Sequence, residues 1–174
     1  MQKGRFYFIS DDFYKIYDTE HKLMQNKEIA NGKPIGRPCF YAFPDNKNEE
    51  IFWCVPISSK VEKYKRIVNS KIQRQIEKNI AKPECNTIRF GEVLGQERAF
   101  LIQNMFPVTS KYIDSIYIDK NTLNAVTISP KVEKDVIKNA RKVLKLSYKN
   151  KGIIFGDIHK IYNSLIDYEL KDSL

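Results

Sequence analysis

Three observations predict an α+β fold, with an antiparallel sheet and peripheral helices. Short apolar runs are separated by turn residues, as in a sheet built from hairpins. One run, Ile51–Ile57, is apolar throughout and rich in aromatic and β-branched residues, which suits a strand buried on both faces. Two long helical stretches, neither broken by an internal Gly or Pro, lie apart from these runs. The chain of 174 residues is expected to form a single domain, since no repeat, low-complexity linker or composition break divides residues 1–174.

In chain order, Arg5–Ile9 reads as a strand. Ser10 is placed to cap a short helix, Asp11–Tyr17, which carries acidic residues in its first turn. Asn26–Gly36, with Asn31-Gly32, Pro34 and Gly36, reads as a loop. Arg37–Phe43 is a strand with Pro38 near its start, where proline is tolerated. Pro44–Glu50 is a polar turn leading into Ile51–Ile57, so these two strands form a hairpin. Thr87–Leu94 and Arg98–Met105 form another around Gly95-Gln96-Glu97, ended by Pro107. Thr109–Tyr117 reads as a short helix and Thr122–Ile128 as a last edge strand.

The first long helical stretch is Val61–Lys82, stopped by Pro83. Tyr64, Val68, Ile72, Ile76 and Ile80 recur along one face, although part of the stretch reads equally as a loop that orders on binding. The second begins at Ser129-Pro130, with proline at the first helical position, and stops before Gly152. Its apolar arc holds Val132, Val136, Ile137, Ala140, Val143, Leu144 and Ser147.

The charge is localised. Lys60–Lys82 and Lys131–Lys151 each hold eight basic residues against two acidic ones. Each is net +6, whereas the whole chain is +9, so the remainder is net negative. Two amphipathic basic stretches on a sheet-rich body form a nucleic-acid footprint, although solvated helix faces would look the same. The valine, isoleucine and alanine of the apolar face suit packing on a sheet better than insertion into a membrane surface. Tyrosines such as Tyr7, Tyr64, Tyr117 and Tyr148 lie close to cations, a pairing suited to unpaired RNA bases. The candidate RNA-binding residues are Lys63, Tyr64, Lys65, Arg66, Lys71, Arg74 and Lys78 on the first stretch. Lys138, Lys142 and Lys145 are those on the second.

Cys39, Cys54 and Cys85 are odd in number and widely spaced, which points to a reducing compartment rather than a disulfide framework. His21 and His159 stand far apart with no zinc-ligand spacing, so no metal or other cofactor is expected. No apolar run has the length of a signal peptide core or a membrane span, and a cytoplasmic protein without a membrane partner is expected.

The candidate site is Ser58-Ser59-Lys60, where the buried strand meets the most basic stretch. Hydroxyls and an ammonium on the rim of a rigid sheet suit phosphate, although Ser-Ser-Lys could equally end a strand and cap a helix.

The sequence resembles the toxins of type III toxin–antitoxin systems, the ToxN/AbiQ family, most closely its CptN-type branch. The residues that carry the resemblance are Arg5-Phe-Tyr-Phe-Ile-Ser10, Arg37-Pro-Cys-Phe-Tyr-Ala-Phe43 and the segment from Val55 through Pro56-Ile57-Ser58-Ser59-Lys60 to Lys65. Phe90–Gly95 and the segment from Ala99 to Gln103-Asn104-Met105 complete the set. The resemblance spans the chain. It implies a compact, strongly bent antiparallel β-barrel of the MazF/Kid type, SH3-like, with peripheral helices that include a basic C-terminal one. It implies a metal-independent, sequence-specific endoribonuclease cutting single-stranded, A-rich RNA of the cell or of an infecting phage. A repeat-derived pseudoknot RNA would inhibit it by direct binding, in a closed ring of alternating protein and RNA copies, with a role in phage defence.

Under that reading Ser58 and Ser59 supply hydroxyl donors, Lys60 a charge and a proton, and Arg37 a planar grip on phosphate. Most of the rate would come from positioning and electrostatics. Many members of the family carry a proline between the second hydroxyl and the lysine, whereas Lys60 follows Ser59 directly. That leaves Lys63 as an alternative to Lys60. Ser59, the second hydroxyl, is the family's better candidate over Ser58. A non-catalytic small-barrel RNA-binding module is the alternative function.

Overall fold

A computed structural model describes residues 1–30 and 32–170 of the chain. Strand β1 (Phe6–Ile9) leads into helix α1 (Asp11–Tyr17), where Ser10 Oγ accepts the N–H of Phe13, as its capping position requires. A separate two-stranded sheet follows, β2 (Lys27–Ala30) and β3 (Lys33–Gly36). The chain then forms β4 (Cys39–Pro44), β5 (Ile51–Ser58), helix α2 (Val61–Glu77) and the hairpin β6 (Arg89–Val93) and β7 (Gln96–Phe100). Next come β8 (Phe106–Thr109), β9 (Ile113–Ile116), α3 (Pro130–Ser147) and α4 (Ile158–Ser164), the last continuing as a π-helical turn over Leu165–Leu170.

The main sheet is antiparallel, ordered β6-β7-β5-β4-β1-β9, with β8 joined to β5. Strand β5 holds it together. One edge pairs with β4, while the other pairs first with β8 over Ile51–Cys54 and then with β7 at Ile57 and Ser58. Sharing one edge between two successive neighbours splits the sheet at that point, and a register shift between Tyr41 and Phe43 adds a bend in β4. Among the described residues no pairing joins β6 to β9, so the sheet is open.

Burial follows from that arrangement. The rings of Phe6, Phe40 and Phe100 meet at 5.3–6.2 Å between centroids, inside the range where aromatic pairs attract. Val136, Ala140 and Val143 bring the apolar arc of α3 onto this core. Gly91 lets α3 approach β6, because a Cβ there would collide with Val132. A smaller cluster of Tyr64, Cys85, Ile88, Ala99 and Leu101 lies under α2.

Several local expectations give way to tertiary pairing. Within the expected loop lie the paired strands β2 and β3, with left-handed Gly32 (φ +73°) ahead of β3. All four β3 residues are exposed, so no apolar alternation marks the strand. Pro107 lies within β8 opposite Trp53; among the described residues β8 pairs with β5 alone, so a residue without an N–H is tolerated. Thr109–Tyr117 holds a 3₁₀ turn at Ser110–Tyr112 and then β9, which takes the outer edge beside β1. Thr122–Ile128 makes a single bridge, Ile118 to Ala125, and no strand; Leu123 there is left-handed (φ +57°) and exposed. Helix α2 stops at Glu77, before left-handed Asn79 (φ +54°), and leaves Ile76 and Ile80 exposed. Helix α4 carries no strong sequence signal.

Helix α4 is fastened by a polar contact in the β4–β5 turn. Asp45 accepts the Trp53 indole N–H at 3.0 Å and the Tyr162 hydroxyl at 2.9 Å. Burial raises its pKa, but these bonds and the backbone N–H groups of Lys47 and Asn48 outweigh it, and the net shift is downward. A depressed carboxyl contributes stability that is complete above about pH 4 and lost as pH falls through the folded pKa. Asp45→Ala is expected to cost about 2–3 kcal/mol at pH 7, by orphaning two donors. Denaturant midpoints of the two proteins should converge as the pH falls below that window; a constant gap would refute the assignment.

Candidate active site

The end of β5, the β2–β3 hairpin with the segment that follows it, the β6–β7 hairpin and Tyr117 enclose a cavity of about 240 Å³. Ser58 is the last residue of β5 and pairs with Ala99, so the strand fixes its backbone. Its side chain is buried, and its Oγ accepts the Lys60 N–H at 3.2 Å, turning the chain into α2. The hydroxyl also lies beside the phenol of Tyr64, whose pKa is raised by burial. Lys60 is the N-cap of α2 and among the described residues no side chain caps the helix, so Ser58 closes the turn before it rather than capping it.

Ser59 is exposed, and its hydroxyl donates to Glu28 Oε1 at 3.0 Å. Glu28, on β2, accepts Arg37 Nη2 on its other oxygen at 3.3 Å. The two side chains are only 9% and 10% exposed, so water screens this pair weakly. Arg37 also donates through Nη1 to the Gln25 carbonyl, and its own N–H bonds the Asn26 carbonyl. Its buried Nε has no hydrogen-bond partner among the described residues. Arg37 lies just before β4 rather than in it, held by the segment that carries Glu28.

The structure thus joins Arg37, Glu28 and Ser59 in one chain of hydrogen bonds on the cavity wall. Ser58, Ser59 and Arg37, the predicted catalytic residues, all line the cavity; Lys60 does not, and neither does Lys63. The Ser58–Lys60 turn accounts for this, because α2 begins there without a proline to hold the chain extended. Lys63 Nζ lies 5.7 Å from the centroid of the neighbouring Tyr64 ring. The second cation in the wall is Arg98 on β7, bonded to Gln96. Sequence reasoning missed Arg98 and Glu28. Arg98 was legible only as a residue of a hairpin strand, and Glu28 lay in a presumed loop.

The basic stretches are less uniform than their composition. Arg66, Arg74 and Lys78 are exposed along α2, and Lys138 and Lys145 along α3. Lys65 is paired with Glu62 and Glu97, and Lys142 with Glu84. Lys71 reaches inward, donating to Thr87 Oγ1 at 2.8 Å and Gln103 Oε1 at 2.7 Å, and burial lowers its pKa. It ties α2 to the segment around Gln103 and is not presented to a ligand. Tyr64 is buried in the smaller cluster, so it offers no ring face for stacking. Tyr148, 63% exposed, does.

Chemically, the wall combines a hydroxyl, a carboxylate locked by a guanidinium, and a second guanidinium nearer solvent. Such a set can accept a proton and stabilise an anion within one small cavity. Among the described residues no group of three or more His, Cys, Asp or Glu side chains is placed to hold a metal ion. No helix among them is long and apolar enough to cross a membrane. No protein-family model matches the chain, and no curated protein matches it.

Proposed function

We propose that the chain is an endoribonuclease that cleaves single-stranded RNA by attack of the 2′-hydroxyl on the adjacent phosphorus. The observation that carries this is the Arg37–Glu28–Ser59 network beside Arg98, in a chain whose positive charge is concentrated in two helical stretches. Glu28 takes the 2′-OH proton, with Arg37 fixing its carboxylate. The 2′-oxygen displaces Ser59 from Glu28 Oε1, freeing that hydroxyl to donate to a non-bridging phosphate oxygen. Arg98 meets the other developing charge. The O2′–P bond forms, the P–O5′ bond breaks, the departing 5′-oxygen takes a proton from water at the cavity mouth, and the hydroxide left there takes the proton held by Glu28. Arg37 thus acts on the carboxylate rather than by gripping phosphate.

In this reading the exposed cations of α2 and α3 meet RNA backbone, where affinity is set by phosphate neutralisation. A repeat-derived pseudoknot RNA as inhibitor, assembly into a closed protein–RNA ring and a role in phage defence rest on the resemblance to ToxN/AbiQ toxins. Kinship with the MazF/Kid barrel draws support from the bend at β5, where β7 and β8 share one edge. A non-catalytic RNA-binding module is the second reading. What favours it is that Ser58 is already spent on the Lys60 N–H and both Arg37 Nη atoms on acceptors.

The deciding experiment is product analysis with purified protein. With the proton acceptor and the cations supplied by side chains, cleavage is expected to persist in excess EDTA. The products should carry a 2′,3′-cyclic phosphate and a 5′-hydroxyl. A 5′-phosphate end, or dependence on added Mg²⁺, overturns the mechanism; intact RNA under every condition favours the binding module.

A further inference from the structure

The cavity has an apolar half that the proposed chemistry does not use. Its lip is Leu94, the first residue of the two-residue turn between β6 and β7, where Val93 pairs with Gln96. Leu94 has φ +52° and is followed by Gly95 at φ +71°. Turns with positive φ at both positions favour Asn-Gly or Gly-Gly, and a leucine is strained there. The side chain is also 46% exposed, so core burial does not offset that strain. A residue that is costly in both conformation and exposure, on the wall of a site, points to a contact made with a ligand.

Ile35 lines the same cavity, 44% exposed and paired with Glu28 in the β2–β3 register. Tyr117, also in the lining, is held by edge contacts with Phe6 and Phe8 at 6.4 and 5.5 Å. Gln96 and Arg98 complete this side, and with Gln96 Oε1 engaged by Arg98, the amide N–H groups of Gln96 remain as donors.

We infer that this half of the cavity is a nucleobase slot: Leu94 and Ile35 clamp the faces of one unpaired base beside the scissile phosphate, and Gln96 meets its edge, with Arg98 left to the phosphate. The volume of about 240 Å³ lies below the roughly 300–1,000 Å³ of pockets that enclose drug-sized ligands, and suits a single base with its phosphate at the mouth. A nucleotide is the ligand that brings flat apolar faces, acceptor atoms on an edge and an anion together. The assignment deepens the endoribonuclease reading and rests on it.

The test measures binding without chemistry. Single-stranded RNA oligonucleotides, 2′-O-methylated so that they carry no nucleophile, are titrated by fluorescence anisotropy. The set comprises the four homopolymers and an abasic strand of equal length. The parent protein is expected to bind at least one homopolymer about ten-fold more tightly than the abasic strand, the order of one base contact. Leu94→Asn, which suits the turn, should lose most of that ratio while its thermal midpoint stays at or above the parent's. Ile35→Thr, a second variant on an exposed strand, should lose it too. An unchanged ratio in both folded variants, or equal binding of all strands by the parent, overturns the slot. The same strands with free 2′-hydroxyls separate the two ideas. Base-dependent binding without cleavage keeps the slot and removes the nuclease; cleavage without base dependence does the reverse.

Discussion

Ser59→Ala is expected to lower RNA cleavage by about 10²–10³-fold while leaving the fold and affinity for folded RNA nearly unchanged. The loss is of the size seen when one donor to a developing oxyanion is removed. Ser59 is exposed, and among the described residues its hydroxyl bonds Glu28 alone, so alanine opens no cavity and strands no buried donor. The carboxylate that loses a partner keeps Arg37. An interface dominated by phosphate contacts loses little with one hydroxyl. Ser58→Ala should behave differently, because the buried Ser58 Oγ accepts the Lys60 N–H in the turn before α2. Its main effect is expected on stability, about 1 kcal/mol for one hydrogen bond lost. Single-turnover cleavage and thermal unfolding of both variants separate these roles. Full cleavage by Ser59→Ala removes Ser59 from the site.

The second large effect is expected at the Arg37–Glu28 pair. Both side chains are about nine-tenths buried, and removing one partner from such a pair leaves an uncompensated charge. Glu28→Gln is expected to cost about 3 kcal/mol, which for a chain of this size lowers Tm by roughly 6–12 °C. It should also reduce cleavage by about 10²–10⁴-fold, since an amide accepts no proton. A double variant separates the two effects. Arg37→Met with Glu28→Leu removes both charges together and should recover most of the lost stability, because apolar replacement of a buried pair is close to neutral. Cleavage should stay lost. If activity returns with stability, Glu28 only holds the hairpin, and the proton acceptor lies elsewhere.

Local physics made a good part of this protein legible in its sequence. The seven apolar residues of Ile51–Ile57 form a buried strand because no other element accommodates them in so short a run. Ser10 and Ser129-Pro130 start helices because their side chains and fixed φ act on the next few residues alone. The apolar arc of α3 needed only helical periodicity. Ser58, Ser59 and Arg37 meet in one cavity because the strand order implied by the hairpins brings their segments together.

Tertiary structure decided the rest. Strands β8 and β9 exist because β5 and β1 have open edges to pair with, although Pro107 and a helix-like composition argue against them locally. Lys71 belongs by composition with the exposed cations of α2, yet Thr87 and Gln103 draw it inward. Lys60 adjoins Ser59 in sequence and leaves the cavity because α2 begins at that turn. Glu28 reads as one charge in a polar loop until Arg37 and Ser59, nine and 31 residues away, close on its two oxygens. Propensity, capping and periodicity act over a few residues, and the sequence displays them. A hydrogen bond between distant segments depends on where the whole sheet brings their backbones, and that is settled only when the chain folds.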